Sequence, residues 1–460
     1  MAQVFIRYIR YKMSAEVLLQ RGTLTAVLVP ADPKTDAVPG PLSHPWTQLA
    51  LGLLSMAAVA NLQYGWTQFV DPIDAKFHWG RPAIQIAFTL FVALETALVP
   101  IEGYLVDRYG PRPVVAGGAV LVALAWTLNS IADSLPLLYV AAAVGGIGTG
   151  AVYGTCVGNA LKWFPSRRGL AAGITAAGFG AGTALTVAPI ARMIAVSGYQ
   201  HAFLYFGLLQ GAVVLLASIG LRAAPASYLG EATRRTQSPR SFSPREVLRR
   251  PLFWVLYVTF VLVASGGLTL IACMTPIARD LHVAKVPVQL LGILLPAGVF
   301  AINLQRILDG VGRPFFGWVS DHMGRENTMA LAFVIGALAL CMLSRIGSEP
   351  LPFVLLTGLY FGVFGEIYSL FPAIQGDTFG AKYAAANAGM LYTAKGAGAL
   401  LVAPASAIAL ARGWHSVFLL AMTFNLLAAA LALFVVKPMR ARHFAALHAA
   451  AHGDPEWARH

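Results

Sequence analysis

Three cations stand where an apolar chain tolerates them least: Arg306, Arg313 and Lys395 all fall inside long apolar stretches. Taking an unpaired charge out of water is expensive, so each marks either a structural ion pair or a binding site. Asp309 lies three residues after Arg306 and four before Arg313, which puts all three on one helix face. Asp309 can neutralise one of them, and an Arg306–Asp309 pair would leave Arg313 open. Lys395 has no acid at the same face and depth in its own segment. Two cations at one level repel unless an anion joins them. A dicarboxylate would satisfy both, because arginine offers it a planar fork and lysine a compact point charge. Tyrosine rings and hydroxyls would complete a pocket for a small, planar, polar anion. A cationic ligand would need the reverse, unpaired acids.

The acids leave alternatives open. Glu95 sits deep in an apolar stretch, either as a packing hydrogen-bonder or as a protonatable coupling site. Glu366 is two residues from Tyr368, about 200° round a helix, so if Tyr368 faces a cavity Glu366 faces away and reads as a hydrogen bond between helices. Coupling to protons through Glu95, Asp309 or Glu366 stays open. Other chemistry has little support. Cys156, Cys273 and Cys341 are far apart and form no CxxC. No HExxH metal motif and no GxxxxGK[ST] phosphate loop occurs. No nucleophile–base or metal constellation suggests an enzyme, and no metal or cofactor is expected.

These residues need long apolar elements to position them. The 460-residue chain is 57% hydrophobic and only 12% charged, far from a soluble domain, which is about 25% charged. Twelve apolar stretches are long enough to cross about 30 Å of hydrocarbon. They lie near 47–70, 84–106, 113–132, 136–161, 169–196, 200–221, 252–276, 288–318, 327–346, 351–376, 384–411 and 414–436. The expected fold is therefore an all-α integral membrane protein of twelve transmembrane helices. Residues 1–46 read as a cytosolic tail without a signal peptide, with Met1 or Met13 as the start. A six-helix bundle follows at 47–221, then a basic central loop at 222–251, a second six-helix bundle at 252–436 and a tail at 437–460.

A net charge of +13 would suggest nucleic acid in a soluble protein. Here it sorts by side of the membrane. With the termini cytosolic, 23 Lys and Arg fall inside and 7 outside, and the remaining 3 are the intramembrane cations. The positive-inside rule selects that orientation. No nucleic-acid partner is expected, only the bilayer and a small anion. Counting 1.5 Å per residue places Arg313, Lys395, Tyr153 and Tyr368 roughly 12–16 Å from the inner surface, at one level near the midplane. Tyr392 lies three residues before Lys395, on about the same face. Phe364 and Tyr368 are an i,i+4 pair, as core packing also produces. Trp46, Trp163, Trp254 and Trp318, at span ends, read as interfacial anchors.

The chain repeats itself. Gly103, Asp107 and Gly110 recur 214 residues later as Gly317, Asp321 and Gly324, and Tyr153 matches Tyr368 at 215. Such a parallel repeat is the pattern of two-domain carriers, with the ligand between the halves. The loop Gly103-Tyr-Leu-Val-Asp107-Arg108-Tyr-Gly110-Pro-Arg112 resembles the signature of the major facilitator superfamily. The resemblance implies that fold, as two six-helix pseudo-repeats. It also implies gating roles for Asp107, Arg108, Arg112, Asp321 and Arg325, the Asp capping a helix and the Arg bridging neighbouring helix ends. In the second copy His322 replaces the first Arg and Glu326 stands where Arg112 does.

Further segments are similar to the oxalate/formate antiporter family. They are Asn61-Leu-Gln63-Tyr64-Gly-Trp66, Asn159-Ala-Leu-Lys162-Trp163-Phe164-Pro165, Arg313-Pro-Phe-Phe-Gly-Trp-Val-Ser-Asp321, Gly365-Glu366-Ile-Tyr368 and Leu391-Tyr392-Thr-Ala-Lys395. The resemblance implies that Arg313 and Lys395 are the two anion-binding cations. It implies a pocket lined by Gln63, Tyr64, Tyr153, Phe364, Tyr368 and Tyr392, and an ATP-independent exchange of external oxalate for internal formate. Tyr392 departs from a pattern in which Trp can stand there, which changes pocket size. The expectation is a monomeric carboxylate antiporter of a bacterial-type inner membrane. Its rivals are a proton-coupled monocarboxylate symporter and, from another class, a membrane-bound carboxylate sensor.

Overall fold

The computed structural model describes residues 16–20, 23–27, 41–225, 237–290 and 292–451. The described residues fall into two compact units, those up to 47 and those from 48 on. In the first, Glu16–Gln20 pairs antiparallel with Thr23–Val27, Glu16 opposite Val27, and a short turn of helix covers Pro41–Ser43. The rest of the expected tail, Met1 and Met13 included, lies outside the described residues, as do the last nine residues.

Twelve membrane-spanning helices in two six-helix repeats make the fold. In the first half, span 1 is Pro45–Val59, Asn61–Tyr64 and Thr67–Phe77, and span 2 is Arg81–Ala97 with Val99–Tyr109. Spans 3 to 6 are Pro111–Ile131, Leu135–Trp163, Arg168–Ser197 and Tyr199–Gly220. A short helix, Pro244–Leu248, precedes the second half. Spans 7 to 9 are Pro251–Asp280, Ala297–Met323 and Arg325–Ile346. Span 10 is Pro350–Phe364 with Ile367–Phe379, span 11 Ala384–Ala399 with Val402–Arg412, and span 12 Trp414–Ala430. Span 12 runs on through a π-helical stretch, Leu431–Val436, into Lys437–Ala451, so the expected C-terminal tail begins as helix.

Among the described residues eight helices are long and apolar enough to cross a membrane, or nine when the two parts of span 2, bent by 42°, are taken together. Spans 1, 5 and 8 stand outside that count: span 1 is broken into pieces, and in span 5 only Thr186–Ser197 counts as an apolar helix. Span 8 fails because Arg306, Asp309 and Arg313 interrupt its apolar run. The breaks have local causes. Pro100 near the start of the second part of span 2 has no N–H to continue the ladder. Pro111, Pro251 and Pro350 each begin a helix, where a missing N–H costs nothing.

The packing is inside-out relative to a soluble protein. Leu410, Val196 and Phe434 are more than three-quarters exposed, while Glu95 and Glu366 are fully enclosed. An apolar exterior needs no water, and polar groups gain by meeting one another inside.

Candidate functional site

Span 8 carries the arginine inward. Arg313 is almost fully buried and donates from Nη1 to the Ala176 carbonyl of span 5 at 2.7 Å and from Nη2 to Asp309 Oδ2 at 2.5 Å. Its guanidinium lies 4.4 Å from the centre of the Tyr368 ring, a cation–π geometry. Span 11 carries the lysine. Lys395 Nζ donates to both carboxylate oxygens of Glu95 at 3.2 Å and to the Tyr392 hydroxyl at 2.9 Å.

Aromatic rings join the two cations. Tyr153 of span 4 stacks on Tyr392 with centroids 4.5 Å apart, and Tyr392 lies 6.4 Å from Tyr368. Phe364 meets Tyr368 edge-on at 6.0 Å. Tyr64 meets Phe179 edge-on at 5.6 Å, and Phe179 in turn meets Tyr153 at 5.4 Å. Gln63 sits beside Tyr64 on the short helix Asn61–Tyr64, its side-chain oxygen buried without a hydrogen bond. The structure thus gathers Arg313, Lys395, Tyr64, Tyr153, Phe364, Tyr368 and Tyr392 from both halves. Phe179, 6.0 Å from Lys395 Nζ, is an addition that sequence reasoning missed, since one Phe in an apolar helix carries no signal.

The counter-ions resolve what the spacing left open. Asp309 pairs with Arg313, one helical turn away, rather than with Arg306. Lys395 has an acid after all, supplied by Glu95 from the opposite half of the molecule, 300 residues away in sequence. Glu366 does not make the expected hydrogen bond between helices. It sits at the break in span 10, and both carboxylate oxygens are buried without a partner.

At the face bearing the central loop, the repeated Gly-Asp-Gly residues each have a physical role. Gly103 and Gly317 mark close helix approaches. A β-carbon on Gly103 would lie 2.5 Å from the Ala385 carbonyl oxygen, and one on Gly317 would collide with the Gly169 carbonyl oxygen. Gly110 and Gly324 end their helices at φ of 84° and 90°, where a side chain is strained. Each Asp caps a helix of the other half. Asp107 accepts from the Ala386 amide at the start of span 11 at 3.0 Å, and from Lys162 Nζ at 2.5 Å. Asp321 accepts from the Gly169 and Leu170 amides at the start of span 5, at 3.1 and 2.9 Å, and pairs with Arg325 at 2.7 Å. Anions at helix N-termini are favourable twice over, by hydrogen bonding and by the helix dipole.

Arg108 and Arg112 do not join this network. Arg108 is exposed beside Tyr104 and Tyr109, and Arg112 is exposed too. One residue is about 100° of helix turn, so Arg108 points away when Asp107 faces span 11. Lys162 supplies the cation instead. Asp377 is another residue missed, as are its partner Arg168 and Lys162: it accepts from Arg168 at 2.8 Å, Arg325 at 2.9 Å and Gln237 at 3.1 Å, tying span 5 to spans 9 and 10 and to the central loop. A signal for it existed, because Asp377 follows Lys162 by 215 residues, the offset that relates Tyr153 to Tyr368.

The loop docks on this gate. The amides of Ser238 and Phe242 donate to the Asp377 and Phe379 carbonyls at 2.8 Å. Ser243 caps Pro244–Leu248, and its hydrogen bonds to Glu246 hold that carboxyl below the ordinary glutamate range. Trp163 is no interfacial anchor: it is buried and donates to the Arg222 carbonyl at 3.0 Å. Hydrogen bonds and ion pairs join the halves at this gate and around Arg313 and Lys395. The central-loop face is closed.

Two six-helix halves meeting at a buried, charged midplane define a membrane carrier, and comparison identifies its class. The profile of the Major Facilitator Superfamily matches residues 49–313 and 304–455, and the chain is a multi-pass membrane transporter of that superfamily rather than an enzyme. It shares the fold of the proton:xylose symporter bound to a bromo-sugar, with a TM-score of 0.68 at 12% identity, over 86% of this chain and 96% of that one. The oxalate:formate antiporter of Oxalobacter formigenes is 35% identical over 89% of this chain and 95% of its own length. Human monocarboxylate transporter 11 is 27% identical over 69% of this chain and 66% of its own. The chain belongs to the oxalate/formate antiporter family.

Proposed function

We propose that the protein exchanges small carboxylates across a bacterial-type inner membrane by alternating access, oxalate inward for formate outward. Arg313 and Lys395 bind the dianion. The reading rests above all on one observation: two buried cations of the second half lie among tyrosines of both halves. Tyr64, Tyr153, Tyr368 and Tyr392, with Gln63 and Phe364, line the pocket. The incoming dianion takes the place of Glu95 on Lys395. Asp107, Lys162, Arg168, Asp321, Arg325 and Asp377 hold the cytosolic gate. The halves 47–221 and 252–436 rock about the site in a monomer whose termini and central loop are cytosolic. Similarity to the oxalate:formate antiporter supports this substrate pair.

Liposomes loaded with formate test it. Labelled oxalate uptake that requires internal formate, and needs no proton gradient, supports exchange. Gradient-driven uptake into vesicles without formate sinks it. Such a result would favour the second reading, proton-coupled monocarboxylate symport, for which Asp309 beside Arg313 is the motivating observation. Tyr392→Phe removes the hydroxyl that accepts from Lys395. A hydrogen bond to a charged group contributes about 1.5 kcal/mol, so KM for oxalate should rise about tenfold with little change in kcat. An unchanged KM would remove Tyr392 from the pocket.

A further inference from the structure

We infer that Arg306 is an outer capture residue: it meets the incoming carboxylate first and passes it inward to Arg313 and Lys395. This deepens the carboxylate-exchange reading and rests on it. Arg306 is the third intramembrane cation and the one the pocket does not use. Arg313 has Asp309 for a partner, and Lys395 has Glu95. Among the described residues Arg306 makes no hydrogen bond and no ion pair, although Asp309 is less than one helical turn away. It stands about 14 Å along span 8 from the start of that helix at Ala297. A charge at that depth without a partner needs water or an anion beside it.

The position of Arg306 on its helix says which of the two it meets. It precedes Arg313 by seven residues, which brings the pair within about 20° on the helix and about 10 Å apart along it. Val299 lies seven residues further out on the same stripe. Exposure falls along that stripe: Val299 is exposed, Arg306 half-buried and Arg313 almost fully buried. Val311 and Phe315, exposed on the lipid side, lie roughly 140° and 180° round the helix from Arg306. Arg306 therefore opens on the cleft between the halves and not on the bilayer. The gate at the Asp321 end of span 8 is shut, so that cleft is entered from the Ala297 end. Tyr64 links the two stations, being near enough to act electrostatically on both Arg306 and Arg313. A cation at the mouth of a low-dielectric cleft concentrates anions and speeds their association by about 10- to 1000-fold, less at high ionic strength. Because Arg306 lies on one side of the pocket only, it serves the external anion and not formate arriving from the cytosol.

The test measures labelled oxalate uptake into right-side-out membrane vesicles loaded with formate. Arg306→Gln should raise KM for external oxalate about tenfold, with the maximal rate and KM for internal formate within about twofold of wild type. The rise of external KM with ionic strength should become shallower. Arg306 has no partner to strand, so its removal leaves no buried ion unmatched and the fold should hold. Arg306→Lys keeps the charge and should stay within about threefold of the wild-type KM. Arg306→Cys reads charge and access together. A membrane-impermeant cationic thiosulfonate added outside should restore its external KM, and an anionic one should not. Wild-type protein treated alike controls for Cys156, Cys273 and Cys341. A merely structural Arg306 would instead lower the maximal rate or raise both KM values. That result overturns the inference, as does an unchanged external KM in Arg306→Gln. So does an Arg306→Cys variant that the outer cationic reagent leaves uncorrected, which decides the matter even if Arg306→Gln does not fold. Absence of formate-dependent oxalate uptake by folded wild-type protein overturns instead the carboxylate reading beneath it.

Discussion

Arg313→Gln is expected to lower labelled oxalate uptake by about 100-fold or more, the consequence of removing a buried charge from a site that must balance an anion. The single variant is ambiguous by itself. Arg313 also neutralises Asp309 at 2.5 Å, and stripping one partner from a buried pair costs about 3–5 kcal/mol of stability. Loss of transport could then be loss of fold. Arg313→Gln combined with Asp309→Asn separates the two. It removes both charges, leaves no ion unmatched, and should recover thermal stability in detergent to near that of the wild type. Uptake should remain as low as in the single variant, because the guanidinium fork is still missing. If the double variant instead transports oxalate at the wild-type rate, Arg313 is a structural partner of Asp309 and the substrate site lies elsewhere.

The buried cations are legible in the sequence, and so is Asp309 as a partner for one of the arginines; the partner of Lys395 is not. Arg313 and Lys395 are visible because a charge in an apolar stretch is costly wherever it lands, and a count of helix rise gives its depth. Tyr153 and Tyr368 emerge from the same count. The repeat added Asp107 and Asp321. What sequence does not carry is rotation about a helix axis relative to a distant neighbour. Glu95 reads as a deep acid, but its partner stands 300 residues away, and only the tertiary approach of spans 2 and 11 joins them. Asp377 was hidden for a different reason: at the end of an apolar span it reads as an ordinary solvated residue, yet three donors bury it. The breaks within spans 1 and 10 were missed because hydropathy is continuous across them. Yet the short helix Asn61–Tyr64 holds Gln63 and Tyr64, and the joint at Gly365–Glu366 separates Phe364 from Tyr368, all four assigned to the pocket.

The gate carries the second large effect. Gly317→Leu should cut uptake about 10- to 100-fold, as overpacking against unyielding backbone costs about 1–3 kcal/mol or more. The obstacle is specific to one conformation. At Gly317 a side chain would meet the Gly169 carbonyl, which is helix backbone and cannot rotate aside as a flexible side chain can. The clash therefore penalises the state in which the central-loop face is shut, and alternating access requires that state once per cycle. Leucine at Gly117 is the matched control. That glycine is exposed and its β-carbon would meet open space, so Gly117→Leu adds the same bulk and apolar area with no clash and should transport within about twofold of wild type. Binding gives a further distinction. A carrier held open on the central-loop side still presents Arg313 and Lys395, so detergent-solubilised Gly317→Leu should bind labelled oxalate while failing to carry it. If Gly317→Leu transports as well as Gly117→Leu, closure of spans 5 and 8 at this contact is not part of the cycle.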